Sequence, residues 1–166
     1  YKTYLYSFKN EDGSVNWLPV CADAHGLVVN RDLFVQYGIP LPTDYASFVA
    51  ACKAFEEVGI RGYTADYLYD YTCMETLQGL SAGELTTIAG RKWRTAYSDP
   101  ANNTRVGLDD TVWPGGFERM EQFIQDTGLT AADLELNYDD VVEMFGNGQL
   151  AMYFGSSAGV GMFQEQ

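Results

Sequence analysis

The chain has 166 residues, 46% hydrophobic, 20% charged and 14% aromatic, the make-up of a folded globular protein rather than a disordered one. A single body of this size buries roughly 70% of its unfolded surface, so a true core is expected. A net charge of −13 with a pI near 4.2, the acids spread along the whole sequence, argues against binding a phosphate backbone, and no apolar run approaches the ~20 residues of a membrane span.

Tyr1 to Phe8, YKTYLYSF, alternates aromatic and polar residues and reads as a strand or as the end of a segment packed on something upstream. Asp12-Gly13 is a turn signal, after which Asn16 to Val20 can run extended, with Pro19 suited to an edge or strand end. A polar loop, Cys21 to His25, follows. Gly26 then releases the backbone into Leu27-Val28-Val29, branched and apolar enough to predict a buried strand. Asn30 stands where an N-cap belongs, Arg31 to Tyr37 has room for two helical turns with Leu33, Phe34 and Tyr37 inward, and Gly38 ends them. Pro40 and Pro42 keep the linker extended up to Thr43, the expected cap of the next helix.

From Thr43 to Val58 the helical period is the clearest in the chain, carried by Tyr45, Phe48, Val49, Cys52 and Phe55, and Gly59 closes it. Ile60 to Ala65 reads as a strand. The loop Asp66-Tyr-Leu-Tyr-Asp-Tyr71 sits directly at that strand's end, where open α/β sheets bind ligands, although its tyrosines could equally pack on the first turn of the helix they open. Thr72 to Ala89 is helical with interruptions at Gly79 and Gly83, which predict two helices and a bend near Ser81. The basic cluster Arg91-Lys-Trp-Arg94 reads as a solvated helix end, and between Arg91 and Leu108 the period is lost in a turn-rich excursion. Asn102-Asn-Thr104 matches the glycosylation sequon, a pattern common by chance.

Trp113 either anchors the start of a helix over Phe117 to Asp126 or faces a ligand; that helix should turn Phe117, Met120, Phe123 and Ile124 inward and end at Gly128. Asn137 or Asp139 should cap a short helix through Phe145, and a strand, Leu150 to Phe154, should follow. Gly146-Asn-Gly-Gln-Leu-Ala151 matches a dinucleotide fingerprint only superficially, because here the helix precedes and the strand follows. Gly155 to Gly159 is small enough to allow close backbone approach. The chain opens at Tyr1 and stops at Gln166 without a closing element, and so reads as an excerpt of a longer protein.

Catalytic constellations are nearly absent. His25 is the single histidine and cannot make a two-histidine metal site, no serine sits in a G-x-S-x-G elbow, and Cys21, Cys52 and Cys73 fit no zinc spacing. The odd cysteine count argues against a disulfide framework but leaves room for one disulfide in an oxidising compartment, and Cys52 and Cys73, on helical patterns, read as small buried hydrophobes. A Cys21–His25 nucleophile pair lacks a third group to orient the ring. Neither cofactor nor metal is called for.

Gly13 and Pro19, then Gly26, Asn30 and Phe34, then Gly38, Pro42 and Thr43 form an ordered series, and Phe145-Gly-Asn-Gly-Gln-Leu-Ala-Met152 followed by Gly155-Ser-Ser157 forms a second. Together they resemble the extracellular solute-binding proteins of ABC importers, the sugar-binding type; Ser157 stands where the family often has tryptophan, so that aromatic contact does not carry over. The resemblance implies a periplasmic-binding-protein-like (type II) α/β lobe with a mostly parallel central sheet flanked by helices. Residues 1–20 would then be a hinge-proximal segment of the other lobe, 21–157 the ligand-binding lobe, and 158–166 the return toward the hinge. The same resemblance implies a non-enzymatic, monomeric binder, extracellular or periplasmic, held to the membrane only by an anchor outside this chain, that hands its solute to a permease.

Sugar binding asks for flat rings and for planar hydrogen-bonding groups at strand ends. The implied cleft wall comprises Asp23 and His25, the loop carrying Asp66, Tyr67, Tyr69 and Asp70, and Ser156 with Ser157; Trp113 is a further candidate. On this reading the stretches at about 13–30 and 149–157 meet at one crevice. The rival is a carbohydrate-active hydrolase using a carboxylate pair, and an interaction module that binds protein through its tyrosines is a third reading.

Overall fold

The computed structural model describes residues 9–15, 17, 22–99, 101, 113–159 and 161. The expected strand at 1–8, most of that at 16–20, Cys21 and the sequon at 102–104 lie outside the described residues.

Three strands, β1 (His25–Val29), β2 (Arg61–Thr64) and β3 (Leu150–Ser156), make the sheet among the described residues, in the order β1-β3-β2. β3 is central and covered on both faces, so Leu150, Ala151 and Met152 are fully buried, as an unbroken apolar run demands. β2 runs parallel to β3, with Arg61 opposite Leu150, but β1 runs antiparallel, from His25 opposite Ser156 to Val29 opposite Met152. The sheet is therefore mixed, not mostly parallel. Two helices in succession, α1 (Arg31–Tyr37) and α2 (Tyr45–Glu57), join β1 to β2. The pair takes the chain out and back to the sheet end it left, where a single crossover helix would have carried it to the other end. β1 is also an edge strand, and Leu27 is 42% exposed rather than buried. Its branched residues serve the ladder, not a two-sided core.

The helix boundaries follow local chemistry. The Asn30 side chain accepts from the Leu33 amide (3.3 Å), and Gly38 closes α1 at φ 65°. Leu33 and Phe34 are buried, while Tyr37 sits at the margin with its ring edge-on to Phe55. α2 is capped by Asp44 and not by Thr43: the carboxylate accepts from the Ser47 amide (2.8 Å) and the Ser47 hydroxyl accepts from the Asp44 amide (3.0 Å), a reciprocal box to which Thr43 adds only its backbone amide, on the Ser47 hydroxyl (3.0 Å). Phe48, Ala51, Cys52 and Phe55 form the inner face of α2, and Tyr45 stays exposed. This helix lies so close on β2 that a methyl on Gly62 would come within 2.5 Å of the Cys52 Cα.

α3 (Asp70–Leu85) runs unbroken through Gly79 and Gly83, without the expected bend at Ser81. Each glycine costs a helix about 1 kcal/mol, but packing overrides propensity here. α5 (Trp113–Thr127) lies against α3, with Gly116 on Ser81 and Leu77, and the Arg119 guanidinium bonds the Leu80 carbonyl (2.9 Å) and Glu84. The break falls instead at Thr86-Thr87, where the Thr87 hydroxyl accepts from the Gly90 amide (3.1 Å) and starts α4 (Ile88–Ser98). Arg91 to Arg94 thus lie within a helix, not at its end, and most of the remainder of the expected excursion, 100 and 102–108, lies outside the described residues.

α5 begins at Trp113, earlier than its apolar pattern indicates, since Pro114 is tolerated in a first turn. Phe123 is buried, but Phe117 and Ile124 are exposed. α6 (Tyr138–Gly146) is capped by Asn137, boxed with Asp140, and buries Val141 and Val142. Helix then leads to strand, the reverse of a dinucleotide-binding turn. The core between α2, α5 and the sheet is an aromatic cluster: Phe48, Tyr63 and Phe123 have ring centroids 5.4 to 6.0 Å apart.

Below the sheet's polar end lies a buried ionic pin. Asp133, on a short 3-10 turn (Ala131–Glu135), takes Arg61 Nη2 on both oxygens (2.8 and 2.7 Å), the Thr64 hydroxyl (2.7 Å) and the Thr130 amide (2.7 Å). Burial disfavours its charge, yet the Thr130 amide, the Thr64 hydroxyl and the Arg61 guanidinium together hold its pKa below the ordinary value. No helix of the described residues is long and apolar enough to cross a membrane.

Candidate functional site

Parallel pairing brings the C-terminal ends of β2 and β3 to the same side of the sheet, and antiparallel pairing puts the start of β1 beside them. A concavity of about 140 Å³ opens there. Its lining includes His25 from β1, Phe154, Gly155 and Ser156 from β3, Asp66 from the loop after β2, Tyr71, Thr72 and Glu75 from the first turns of α3, and Tyr138 and Tyr153. It is smaller than the roughly 300–1,000 Å³ of a pocket that encloses a drug-sized ligand, and it has the form of one wall.

Asp66 is its deepest charged group, 6% exposed. Thr72 donates a hydroxyl to one oxygen (3.1 Å) and Tyr71 a longer bond to the other (3.5 Å). Burial pushes its pKa up, its own backbone amide and the two hydroxyls only partly opposing. Tyr153 and Tyr138, rings 6.5 Å apart, also have raised pKa values, first through burial and next through the Asp66 charge. The Tyr153 ring lies over Gly155, where any Cβ would overlap it, so the absent side chain gives the ring its place.

At the mouth, Asp23 staples the start of β1 to the end of β3. It accepts hydroxyls from Ser156 (2.5 Å) and Ser157 and the amides of Ala24 (2.9 Å) and Ala158 (3.0 Å). The two serine hydroxyls lead in lowering its pKa to about 2. The Ser157 amide also donates to the Ala24 carbonyl (2.8 Å), so the two motif-bearing stretches of the sequence meet edge to edge beside one cavity. His25 faces a carboxylate with each ring nitrogen, Glu75 (3.2 Å) and Asp23 (3.5 Å), and tilts against Phe154 (6.0 Å).

Of the residues singled out from sequence, His25, Asp66 and Ser156 line the concavity, and Asp23 and Ser157 form the staple at its edge. Asp70 is the first residue of α3, and Tyr69 stacks on Tyr71 (5.3 Å) beside it. Tyr67 turns the opposite way. It is buried, bonded through its hydroxyl to Tyr63 (3.1 Å) and Thr76 (3.3 Å), and borders a separate, apolar hollow of about 340 Å³ with Met120, Ile124 and Leu129. Trp113 meets Trp93 edge-on (6.0 Å) between α4 and α5, in the anchoring role, away from this lining. Tyr71, Thr72 and Glu75, spaced i, i+1 and i+4, share the first turns of α3, a signal present in the sequence once the helix start is placed. Tyr138 and Tyr153 gave no such signal; their approach depends on the packing of α6 on β3. Among the described residues no group of three or more His, Cys, Asp and Glu is arranged to hold a metal ion.

The sequence profile of the bacterial extracellular solute-binding proteins matches residues 1–166, the whole chain. The chain belongs to that family. Solved structures share the fold of this solute-binding protein at low identity. One is from the thermophilic bacterium Caldanaerobius polysaccharolyticus, described in connection with xylan utilization (19% identity, TM-score 0.75, covering 96% of this chain and 38% of that one). A second is a chitin oligosaccharide binding protein (18%, TM-score 0.72, 96% and 38%). A third is a sugar transporter protein of Bacillus licheniformis in complex with stachyose (15%, TM-score 0.67, 92% and 39%). The solute-binding protein described here thus spans about two fifths of the length of these structures. A comparison with curated proteins finds no match.

Proposed function

We propose that this chain is the ligand-binding lobe of the substrate-binding component of an ABC importer, and that the concavity at the strand ends is one wall of the cleft that captures a sugar or oligosaccharide. The observation that carries the reading is the meeting of a buried, hydroxyl-bonded carboxylate, Asp66, with Tyr71, Tyr138 and Tyr153 in a single hollow. A carboxylate accepts pairs of sugar hydroxyls and ring faces cover C–H surfaces. On this reading residues 21–157 are the lobe, 1–20 a segment of the facing lobe and 158–166 the return toward the hinge. Closure of the two lobes over the solute would present a shape that a membrane permease reads, with the protein acting as a monomer outside the membrane on an anchor beyond this chain.

The contacts proposed are Asp66, His25, Tyr71, Tyr138, Tyr153 and Ser156. Asp23, Ser157, Tyr69 and Asp70 support them from the edge. Tyr67 and Trp113 serve packing. The full-length protein screened by thermal shift against neutral oligosaccharides should gain stability with at least one of them, by about 2.7 kcal/mol at a hundredfold excess over Kd. The variant Tyr153→Ala should lose that gain. Hydrolysis of the glycan during the assay would instead identify a hydrolase, and the absence of any shift would remove the sugar reading.

A further inference from the structure

Resting on the solute-binding reading, we propose that this concavity is a charge filter: it takes solutes without negative charge, uncharged or amine-bearing, and turns acidic ones away. Two carboxylates, Asp66 and Glu75, line it and a third, Asp23, stands at its mouth 3.5 Å from His25. Against them stands one imidazole. No lysine or arginine lines the hollow among the described residues. With His25 protonated, three carboxylates and one cation leave a net −2, and with Asp66 neutralised as well the balance is still −1.

The positions of these groups sharpen the point. Asp23 is engaged by two serine hydroxyls and two amides, and one oxygen of Glu75 meets His25, so both carboxylates help hold the mouth. Asp66 is more than nine-tenths buried and is met by its own backbone amide and by the hydroxyls of Thr72 and Tyr71. Its remaining acceptor capacity suits a donor, which a sugar hydroxyl or an ammonium is and a carboxylate or phosphate is not. An anion seated among Tyr71, Tyr138 and Tyr153 would face that charge with little water between. Aromatic faces add attraction for a cation and none for an anion.

The test is calorimetric titration of the full-length protein with matched probes: disaccharides of glucose, galactose and xylose, the counterparts that end in glucuronic or galacturonic acid, and glucosamine. At least one uncharged or amine-bearing probe should bind, its uronic counterpart at least tenfold more weakly, and Asp66→Asn should narrow that gap threefold or more. Glu75→Gln, on an exposed turn of α3, supplies the same readout should Asp66→Asn fail to fold. A uronic probe that binds as tightly as its neutral counterpart overturns the filter and leaves the sugar reading standing. Binding of no sugar of any charge overturns the sugar reading and the filter together.

Discussion

Asp133→Ala removes the carboxylate that gathers Arg61, Thr64 and Thr130 at the base of β2. Removing one member of a buried ion pair costs about 3–5 kcal/mol, because the other charge stays behind unpaired. Arg61 is one-fifth exposed and keeps the Gly128 carbonyl (3.1 Å) and Glu56 (3.3 Å), so the loss belongs at the low end, about 3 kcal/mol. For a chain of this size that lowers the melting temperature by about 6–12 °C. Asp133→Asn keeps an acceptor for only one of the two threonines, which bond different oxygens, and should cost less than the alanine but still be destabilising. The native pKa of Asp133 lies below its unfolded value, so the unfolded chain takes up the proton first as pH falls. Its contribution is therefore full above about pH 4 and is lost as pH drops through the native pKa. Urea unfolding followed by circular dichroism, at pH 7 and pH 3, measures both effects. A pH 7 difference under 1 kcal/mol, or one that does not shrink at all between pH 7 and pH 3, would refute the assignment of Asp133 as the pin.

Gly62→Ala drives a methyl into the Cys52 backbone and should destabilise by about 2–3 kcal/mol, whereas Gly79→Ala, with open space around it on α3, should gain about 0.5–1 kcal/mol. Equal effects in urea melts would contradict the close seat of α2 on β2. Asp23 should titrate in a carboxyl NMR experiment with a midpoint near 2, and since its folded pKa is depressed, the staple holds at neutral pH and opens only as pH falls through that value. A midpoint at the ordinary carboxylate value would mean the staple is not formed in solution.

Local punctuation was readable from the residues: the Asp12-Gly13 turn, the Asn30 and Asn137 caps, and the glycines that close α1 and α5 depend on atoms a few positions apart. The pairing direction of β1 was not: both helices between β1 and β2 were expected, but the path by which the pair returns the chain to the sheet is set by tertiary packing and not by local residues. The continuity of α3 was hidden for a similar reason, since Gly79 and Gly83 signal a bend that contacts with α5 suppress. At the concavity, the place of Asp66 could be read from its position at a strand end, and that of His25 only from the family resemblance. Tyr67, one residue on, was not separable from Asp66, because only the turn's geometry sends adjacent side chains to opposite faces.

The vacancy of a side chain at Gly155 governs the relief of the proposed binding surface. One added methyl there would evict Tyr153, one of the proposed contacts, and recast the floor of the hollow while leaving the Asp66 carboxylate in place. Among relatives with the same carboxylate at 66, the residue at 155 would therefore be a switch for ligand shape, independent of the switch for ligand charge.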